Sequence, residues 1–445
     1  MKNIVLIGMP CCGKTTFAKL LAQRTNRNFV DCDEFIEKKY NITITNMCEK
    51  FGKDYFRAKE TEVIKELSTL ENTIISTGGG AVLNKENIKN LKENGIVIFI
   101  DRKPNDILKS RNIVENRPFL QDENSLFQMY NERLSLYEKY SSYVVQNDNF
   151  DETIEKLIEI TEKIYKSRKY FVIGYPIKHS LSPKIHMAIF DDFFDNAIYE
   201  TVEVSSENIG DWISNVKKNS IDGFNVTMPH KQTIIPFLDK LDDSVLQYGS
   251  CNTVVNKNGT LVGYNTDADG FFQCLSDKTI DINGKTIAFL GCGNVAQALI
   301  KGAIMRGVKK INIAERNYEK FKQVESYKKE IEINYFQFNE KSLIECSKNA
   351  DLLINCTPLG MNGIQANYEY FDFLSSLSPS ATVVDLIYSP RETQLLKYAK
   401  KLQFPTINGL GMLIYQGIIA DEHYVGSALD KNYYYNKILE ILNVN

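Results

Sequence analysis

Asn3-Ile4-Val5-Leu6-Ile7-Gly8-Met9-Pro10-Cys11-Cys12-Gly13-Lys14-Thr15 opens with an apolar run and passes into a glycine-bounded loop. The loop fits G-x-x-x-x-G-K-[ST], and the helical pattern Thr15–Gln23 follows it. A strand, this loop and a helix in that order make a phosphate cradle, because loop N–H groups and a helix N-terminus point at the same anion. Gly8, Cys11, Cys12, Gly13, Lys14, Thr15 and Thr16 are therefore candidate ATP contacts. Lys14 is expected to reach the β- and γ-phosphates, and the Thr15 hydroxyl to hold Mg²⁺.

Outward from this stretch, apolar strand-like runs alternate with amphipathic helical ones, which predicts α/β architecture with parallel sheets. The chain has 445 residues, more than one core usually serves. A polar helix over Asp151–Tyr165 ends in Lys166-Ser167-Arg168, which reads as a short linker between residues 1–165 and the remainder. The remainder divides into lobes at 169–270 and 271–405, with C-terminal helices over 406–445 expected to pack back on the first lobe.

Composition excludes several classes. Hydrophobic residues make up 43% and charged residues 24%, and 53 basic against 56 acidic residues leave a net charge of −3. No excess of either sign predicts a nucleic-acid or membrane-surface partner. No apolar run reaches the roughly 18 residues of a membrane span. Nine Cys without a C-x-x-C pair, beside four His, argue against structural zinc and a disulfide framework, so a cytoplasmic location is expected. Nothing in the pattern specifies an oligomeric state. Only 11 of the 53 basic residues are Arg, and because a guanidinium fork suits carboxylates and phosphates, each Arg position is informative.

Asp31-Cys32-Asp33 closes the next strand-like run. Then come Phe56-Arg57-Ala58-Lys59-Glu60, Gly78-Gly79-Gly80, Arg117-Pro118-Phe119-Leu120, and Arg133 ahead of Tyr137. In this order and spacing, residues 1–163 resemble shikimate kinase. The resemblance implies that Asp33 orients or deprotonates the attacking 3-hydroxyl and that Asp31 supports the Mg²⁺ shell with Thr15. It implies that Arg57 and Arg133, with Gly79 and Gly80, hold the acceptor carboxylate. Arg117 would sit on a lid over the transferring phosphoryl group, and Arg111 would stack on adenine. The loop departs from the family in carrying Pro10-Cys11-Cys12. Those thiols read either as small buried groups or as thiols activated by the helix N-terminus.

Gly291-Cys292-Gly293-Asn294-Val295-Ala296 fits G-x-G-x-x-[GA] between the strand Thr286–Leu290 and a helix, with Glu315 placed 22 residues after Gly293. Ahead of it lie Ser180-Leu181-Ser182-Pro183, Asn225-Val226-Thr227-Met228-Pro229-His230-Lys231, Cys251-Asn252-Thr253 and Asn265-Thr266-Asp267. With Asn355-Cys356-Thr357-Pro358, Asp385-Leu386-Ile387-Tyr388 and Gly409-Leu410-Gly411-Met412…Gln416, residues 169–445 resemble shikimate dehydrogenase. The fold implied for the whole is a P-loop kinase domain followed by a two-lobe dehydrogenase with a Rossmann lobe.

This second resemblance implies Lys231 as general acid–base with Asp267 as its partner. It implies Ser180, Ser182, Asn225, Thr227, Asn252, Tyr388 and Gln416 as contacts to a polyhydroxy carboxylate. NADP would lie on Gly291, Gly293, Asn294, Val295, Ala296, Thr357, Gly409 and Met412, with Glu315, Arg316, Asn317 and Lys320 at its adenosine ribose. Arg316 and Lys320 favour a 2′-phosphate, whereas Glu315 would suit the free hydroxyl of NAD. The expected protein is bifunctional, reducing 3-dehydroshikimate to shikimate with NADPH and phosphorylating shikimate with ATP. The alternatives are an NAD-using quinate/shikimate dehydrogenase fused to the kinase, and a non-catalytic sensor of such ligands.

Overall fold

A computed structural model of the chain describes residues 1–109, 123–177 and 180–443. Arg111 and Arg117 lie outside the described residues. The chain forms two compact units, Met1–Arg168 with Ile189–Ala197, and Lys169–Ala188 with Ile198–Asn445. The division is not a single cut after residue 165. Within the first unit, Tyr143 packs edge-on against Phe193 (centroids 5.6 Å apart), and Asp195 accepts from the Lys2 amide at 2.6 Å. The linker is also shorter than expected, because Arg168 is already paired in a strand and only Lys166 and Ser167 separate it from the preceding helix.

The first unit holds a sheet of β1 (Asn3–Ile7), β2 (Asn28–Asp31), β3 (Thr73–Ser76), β4 (Gly95–Asp101) and β5 (Tyr143–Gln146), in the order β2-β3-β1-β4-β5. Every pairing is parallel. β1, β3 and β4 are buried throughout, which explains their unbroken apolar sequence: both faces are covered by helices. The phosphate loop leaves the C-terminal end of β1 at the centre of this sheet, where α/β folds open a ligand crevice.

The second unit contains two sheets. β6 (Arg168–Gly174), β7 (Ala197–Glu203), β8 (Gly223–Val226), β9 (Lys240–Leu241), β10 (Thr253–Lys257) and β11 (Thr260–Tyr264) run in the order β7-β6-β8-β10-β11-β9. This sheet is mixed and not parallel as expected: β10 is antiparallel to both β8 and β11. The cause is local, since Lys257 pairs with Thr260 across Asn258-Gly259, both at positive φ (53° and 90°), the geometry of a two-residue hairpin turn.

The other sheet, β12 (Thr286–Leu290), β13 (Lys310–Glu315), β14 (Glu332–Gln337), β15 (Leu352–Asn355), β16 (Thr382–Asp385) and β17 (Thr406–Ile407), is parallel in the order β14-β13-β12-β15-β16-β17. Strand order reverses beside β12, from whose end the second glycine-rich loop springs. The long helix Leu410–Val425 then lies against the helix Asp267–Asp277. Their approach depends on Gly270, where an added Cβ would stand 2.6 Å from the Gln416 nitrogen and 2.8 Å from its Cα. Backbone atoms cannot swing aside, so Gly270→Ala is expected to destabilise the second unit by about 1–3 kcal/mol. A thermal melt with unchanged transition temperature for this unit would contradict that.

Candidate functional site

In the first unit the phosphate loop is shaped by backbone conformations that few residues tolerate. Gly13 sits at φ +96° as the N-cap of the helix Lys14–Thr25, and Cys11 at φ +63°. Asn147 Nδ2 donates to the Cys12 carbonyl at 2.8 Å. Lys14 is buried, its ammonium donating to the carbonyls of Gly8 (3.0 Å) and Met9 (2.8 Å). Cys11 and Cys12 are buried too, with the Cys12 sulfur 3.8 Å from the Lys14 ammonium. Thr16 is exposed in the first turn of the helix.

Thr15 and Asp31, expected together, are together: the Thr15 hydroxyl donates to Asp31 Oδ2 at 2.7 Å. The other oxygen of Asp31 accepts from the amides of Asp33 and Glu34 and so caps the next helix. A hydroxyl and a carboxylate side by side at the cradle's edge are hard oxygen donors of the kind Mg²⁺ takes.

Asp33, Arg57, Arg133 and the triple glycine converge beside this cradle. Arg133 Nη1 donates to the Gly79 carbonyl (3.1 Å), and a Cβ at Gly80 would overlap the Arg57 guanidinium. Two further participants stand in the quoted motifs without an expected role. Tyr137 donates to the same Gly79 carbonyl at 2.5 Å, and Glu60 pairs with Arg57 at 2.5 Å. Glu60 is 1% exposed, and burial raises its carboxyl above the ordinary range, opposed by Arg57. Its Oε1 has no hydrogen-bond partner among the described residues and approaches the site of Asp33, both lying within 2.9 Å of a Cβ built on Gly78. The R-x-x-E spacing, one helical turn, is the signal that could have found Glu60.

In the second unit, Lys231 Nζ donates to Asp267 Oδ2 at 2.6 Å, with side-chain exposures of 12% and 7%. Asp267 begins the helix Asp267–Asp277, and its other oxygen accepts from Asn252 Nδ2 at 3.0 Å. Asn252 also donates to Gln416 Oε1 at 3.2 Å and takes the Thr266 amide on its own oxygen at 2.9 Å. Four expected residues, Lys231, Asp267, Asn252 and Gln416, thus form one hydrogen-bonded group. Ser180 and Thr227 lie in loops and Ser182 begins the helix Ser182–Phe190; Ser180 Oγ accepts from the Ser182 amide (3.2 Å), and Tyr388 follows β16. His230, adjacent to Lys231, is fully buried with Nε2 2.6 Å from the Val204 carbonyl, a structural position.

Asn225 differs from the rest. Its Oδ1 accepts from the hydroxyls of Tyr199 (2.7 Å) and Tyr424 (3.1 Å), and its Nδ2 donates to the Asn252 carbonyl (3.2 Å) and Thr253 Oγ1 (3.1 Å). Those four bonds use the whole capacity of an amide.

At the second glycine loop, Gly291 is at φ +94° and Gly293 caps the helix Asn294–Met305, with nothing within 4 Å of a Cβ placed there. Asn294 and Val295 are partly open and Ala296 is buried. Thr357 closes over Gly291, within 2.9 Å of such a Cβ, and Gly409 and Met412 begin the helix Leu410–Val425. Glu315 does not face outward for a ribose. Its carboxylate accepts from the amides of Cys292 (2.7 Å), Arg316 (2.8 Å) and Asn317 (3.0 Å), tying the glycine loop to the turn after β13. Arg316, Asn317 and Lys320 remain exposed on that turn, with the Arg316 guanidinium 5.2 Å from the Phe338 ring centre.

Separate family models match the two parts of the chain. A family model described as shikimate kinase matches residues 10–165. The shikimate dehydrogenase substrate-binding domain matches 172–254, and shikimate/quinate 5-dehydrogenase matches 274–393. A shikimate dehydrogenase (NADP(+)) of Alkaliphilus metalliredigens is 38% identical over 269 residues, 59% of this chain and 93% of that protein. A Listeria monocytogenes shikimate 5-dehydrogenase, solved with shikimate and NAD, aligns over 62% of this chain and 96% of its own at 31% identity (TM-score 0.56). A shikimate dehydrogenase solved with NADP⁺ aligns over 62% of this chain and 96% of its own at 34% identity (TM-score 0.55). No helix among the described residues is long and apolar enough to cross a membrane.

Proposed function

Because the chain belongs to the shikimate dehydrogenase family over its larger part and carries a shikimate kinase domain ahead of it, we propose that it catalyses two consecutive reactions on one carbon skeleton. The second unit reduces 3-dehydroshikimate to shikimate with NADPH, and the first phosphorylates the 3-hydroxyl of shikimate with ATP. The observation that carries this reading is the 2.6 Å Lys231–Asp267 pair, backed by Asn252, on the same chain as a complete Lys14–Thr15–Asp31 cradle. A sensor that only binds would have no need of a lysine paired for proton transfer.

NADPH supplies the hydride. As it reaches the carbonyl carbon, negative charge grows on oxygen, and the Lys231 ammonium neutralises it and delivers the proton. Asp267 holds that ammonium in place and offers an acceptor to a neighbouring substrate hydroxyl, while Asn252, itself bonded to Gln416, holds Asp267. In the kinase unit, Asp33 takes the hydroxyl proton. Lys14 balances phosphate charge once it leaves the Gly8 and Met9 carbonyls, and Arg57 and Arg133 hold the carboxylate. Thr15 and Asp31 would hold Mg²⁺, which spreads the charge of the phosphates. Arg117, outside the described residues, would add a cation from the lid.

For the cofactor, the three amides on Glu315 support NADP: its charge is spent inside the protein, leaving Arg316 and Lys320 to meet a 2′-phosphate. Arg316→Ala is expected to raise KM for NADPH about 10-fold or more, the worth of a charge-assisted bond, and to leave KM for NADH nearly unchanged. Equal effects on the two cofactors would refute this assignment.

The test of the whole reading is one coupled measurement. Shikimate with NADP⁺ should give growth of reduced-nicotinamide absorbance, and shikimate with ATP and Mg²⁺ should release ADP. Silence in both would overturn it, and a faster rate with quinate and NAD⁺ would favour the fused quinate dehydrogenase instead.

A further inference from the structure

Behind the dehydrogenase site lies a buried polar group that the reaction as described does not use. His186, on the helix Ser182–Phe190, and Asp421, on the helix Leu410–Val425, are both 0% exposed, with Nδ1 and Oδ1 2.6 Å apart. The His186 ring stacks on Tyr199 of β7, with centroids 4.3 Å apart and planes 11° from parallel, and meets Tyr424 edge-on at 6.2 Å. Tyr424 packs in turn on Tyr170 of β6 at 4.8 Å. Both tyrosine hydroxyls converge on one atom, Asn225 Oδ1.

Burying four polar side chains costs free energy unless they bond one another, so the arrangement has to be accounted for. Tyr199 also bonds the Ser182 side chain, and both tyrosines act on Asn225. With its oxygen held by two donors, the Asn225 amide is fixed in one orientation, and its nitrogen grips the Asn252 carbonyl, which also accepts from the Val226 amide at 2.8 Å. Asn252 is the residue whose side chain holds Asp267 Oδ1, and Asp267 holds Lys231. A chain of direct contacts therefore runs from His186–Asp421 through the tyrosines and Asn225 to the reacting pair. Burial raises both tyrosine hydroxyls above their ordinary range, so they stay protonated and able to donate.

The geometry points to Tyr199 and Tyr424, braced by the His186–Asp421 pair, as positioning residues that clamp Asn225 and thereby set the Asn252–Asp267–Lys231 alignment for proton transfer. Asn225 on this view orients the site from behind and is not a ligand to the substrate. The inference rests on the dehydrogenase reading above and adds to it residues that act through Asn225.

The test compares wild type with Tyr199→Phe, Tyr424→Phe, the double variant and Asp421→Asn, all nearly isosteric. For each, shikimate oxidation with NADP⁺ is measured beside NADPH-binding stoichiometry and the kinase rate of the same chain. Misaligning reacting groups slightly costs rate more than binding, so the double variant is expected to lose about 10- to 100-fold in kcat. Its KM for shikimate should stay within about 3-fold, with kinase rate and NADPH stoichiometry unchanged. The single variants and Asp421→Asn should fall between it and wild type. Two results would overturn the clamp: a kcat within about 2-fold of wild type with a raised shikimate KM, as for a direct ligand, or a loss of rate that merely tracks the loss of NADPH-binding protein. Wild type inactive toward shikimate would remove the dehydrogenase reading and the clamp with it; active wild type with unaffected variants would remove only the clamp.

Discussion

A Lys231→Met chain should oxidise shikimate with NADP⁺ about 10²- to 10⁴-fold more slowly than wild type, the usual worth of a positioned acid–base group, and phosphorylate shikimate at the wild-type rate. Met keeps much of the side-chain volume and removes only the ammonium. Two losses combine. The proton leaving the shikimate hydroxyl on oxidation, and returning on reduction, loses its carrier, and Asp267, 7% exposed, loses the cation 2.6 Å from its carboxylate. Removing one partner of a nearly buried pair is costlier than the pair is worth, so some loss of stability in the second unit is also expected. The kinase unit has its own sheet and core and serves as an internal standard for the amount of folded chain. A variant retaining more than about a tenth of the wild-type rate would take the proton-transfer role away from Lys231.

The mirror experiment is Lys14→Met, expected to lower kinase kcat by about 10²- to 10³-fold, the range for deleting one preorganised donor to developing charge, with dehydrogenase kinetics unchanged. Lys14 is already inside the loop, so the ammonium needs only to change acceptors when phosphate arrives. The loop should survive its loss, since the Asn147 bond to the Cys12 carbonyl and the Cys12-to-Met9 turn at 3.3 Å do not involve Lys14. ADP release by the variant at more than about a tenth of the wild-type rate would count against the cradle as the ATP site.

The outline is legible in the sequence because its signals are local. A strand, a glycine loop and a helix are adjacent in sequence, so Gly8–Thr15 and Gly291–Ala296 announce both nucleotide cradles. The resemblance to shikimate kinase pairs Thr15 with Asp31, and the ends of two strands of one sheet bring them together. What escapes is of two kinds. Asn258-Gly259 between two β-branched runs is a hairpin signal, and giving it weight makes the middle sheet mixed. Glu60 can be placed by its single turn from Arg57. Tyr199, Tyr424, His186 and Asp421 cannot, because the hydrogen bonds that tie them to Asn225 or to each other span 26 to 235 residues and each, alone, looks like an ordinary core or surface residue. The resemblance places Asn225 among the substrate contacts; the four bonds its amide makes within the protein lie beyond any sequence signal.

Glu315 has a consequence for anyone who would re-engineer the cofactor. The customary route from a phosphorylated to an unphosphorylated dinucleotide is to install or exploit an acid at the end of the second strand. Here an acid already stands there, yet it works as a rivet between two loops. Replacing it is expected to loosen the glycine loop for both cofactors alike, so on the reading proposed above a change of preference is sought at Arg316 and Lys320, with Glu315 left alone.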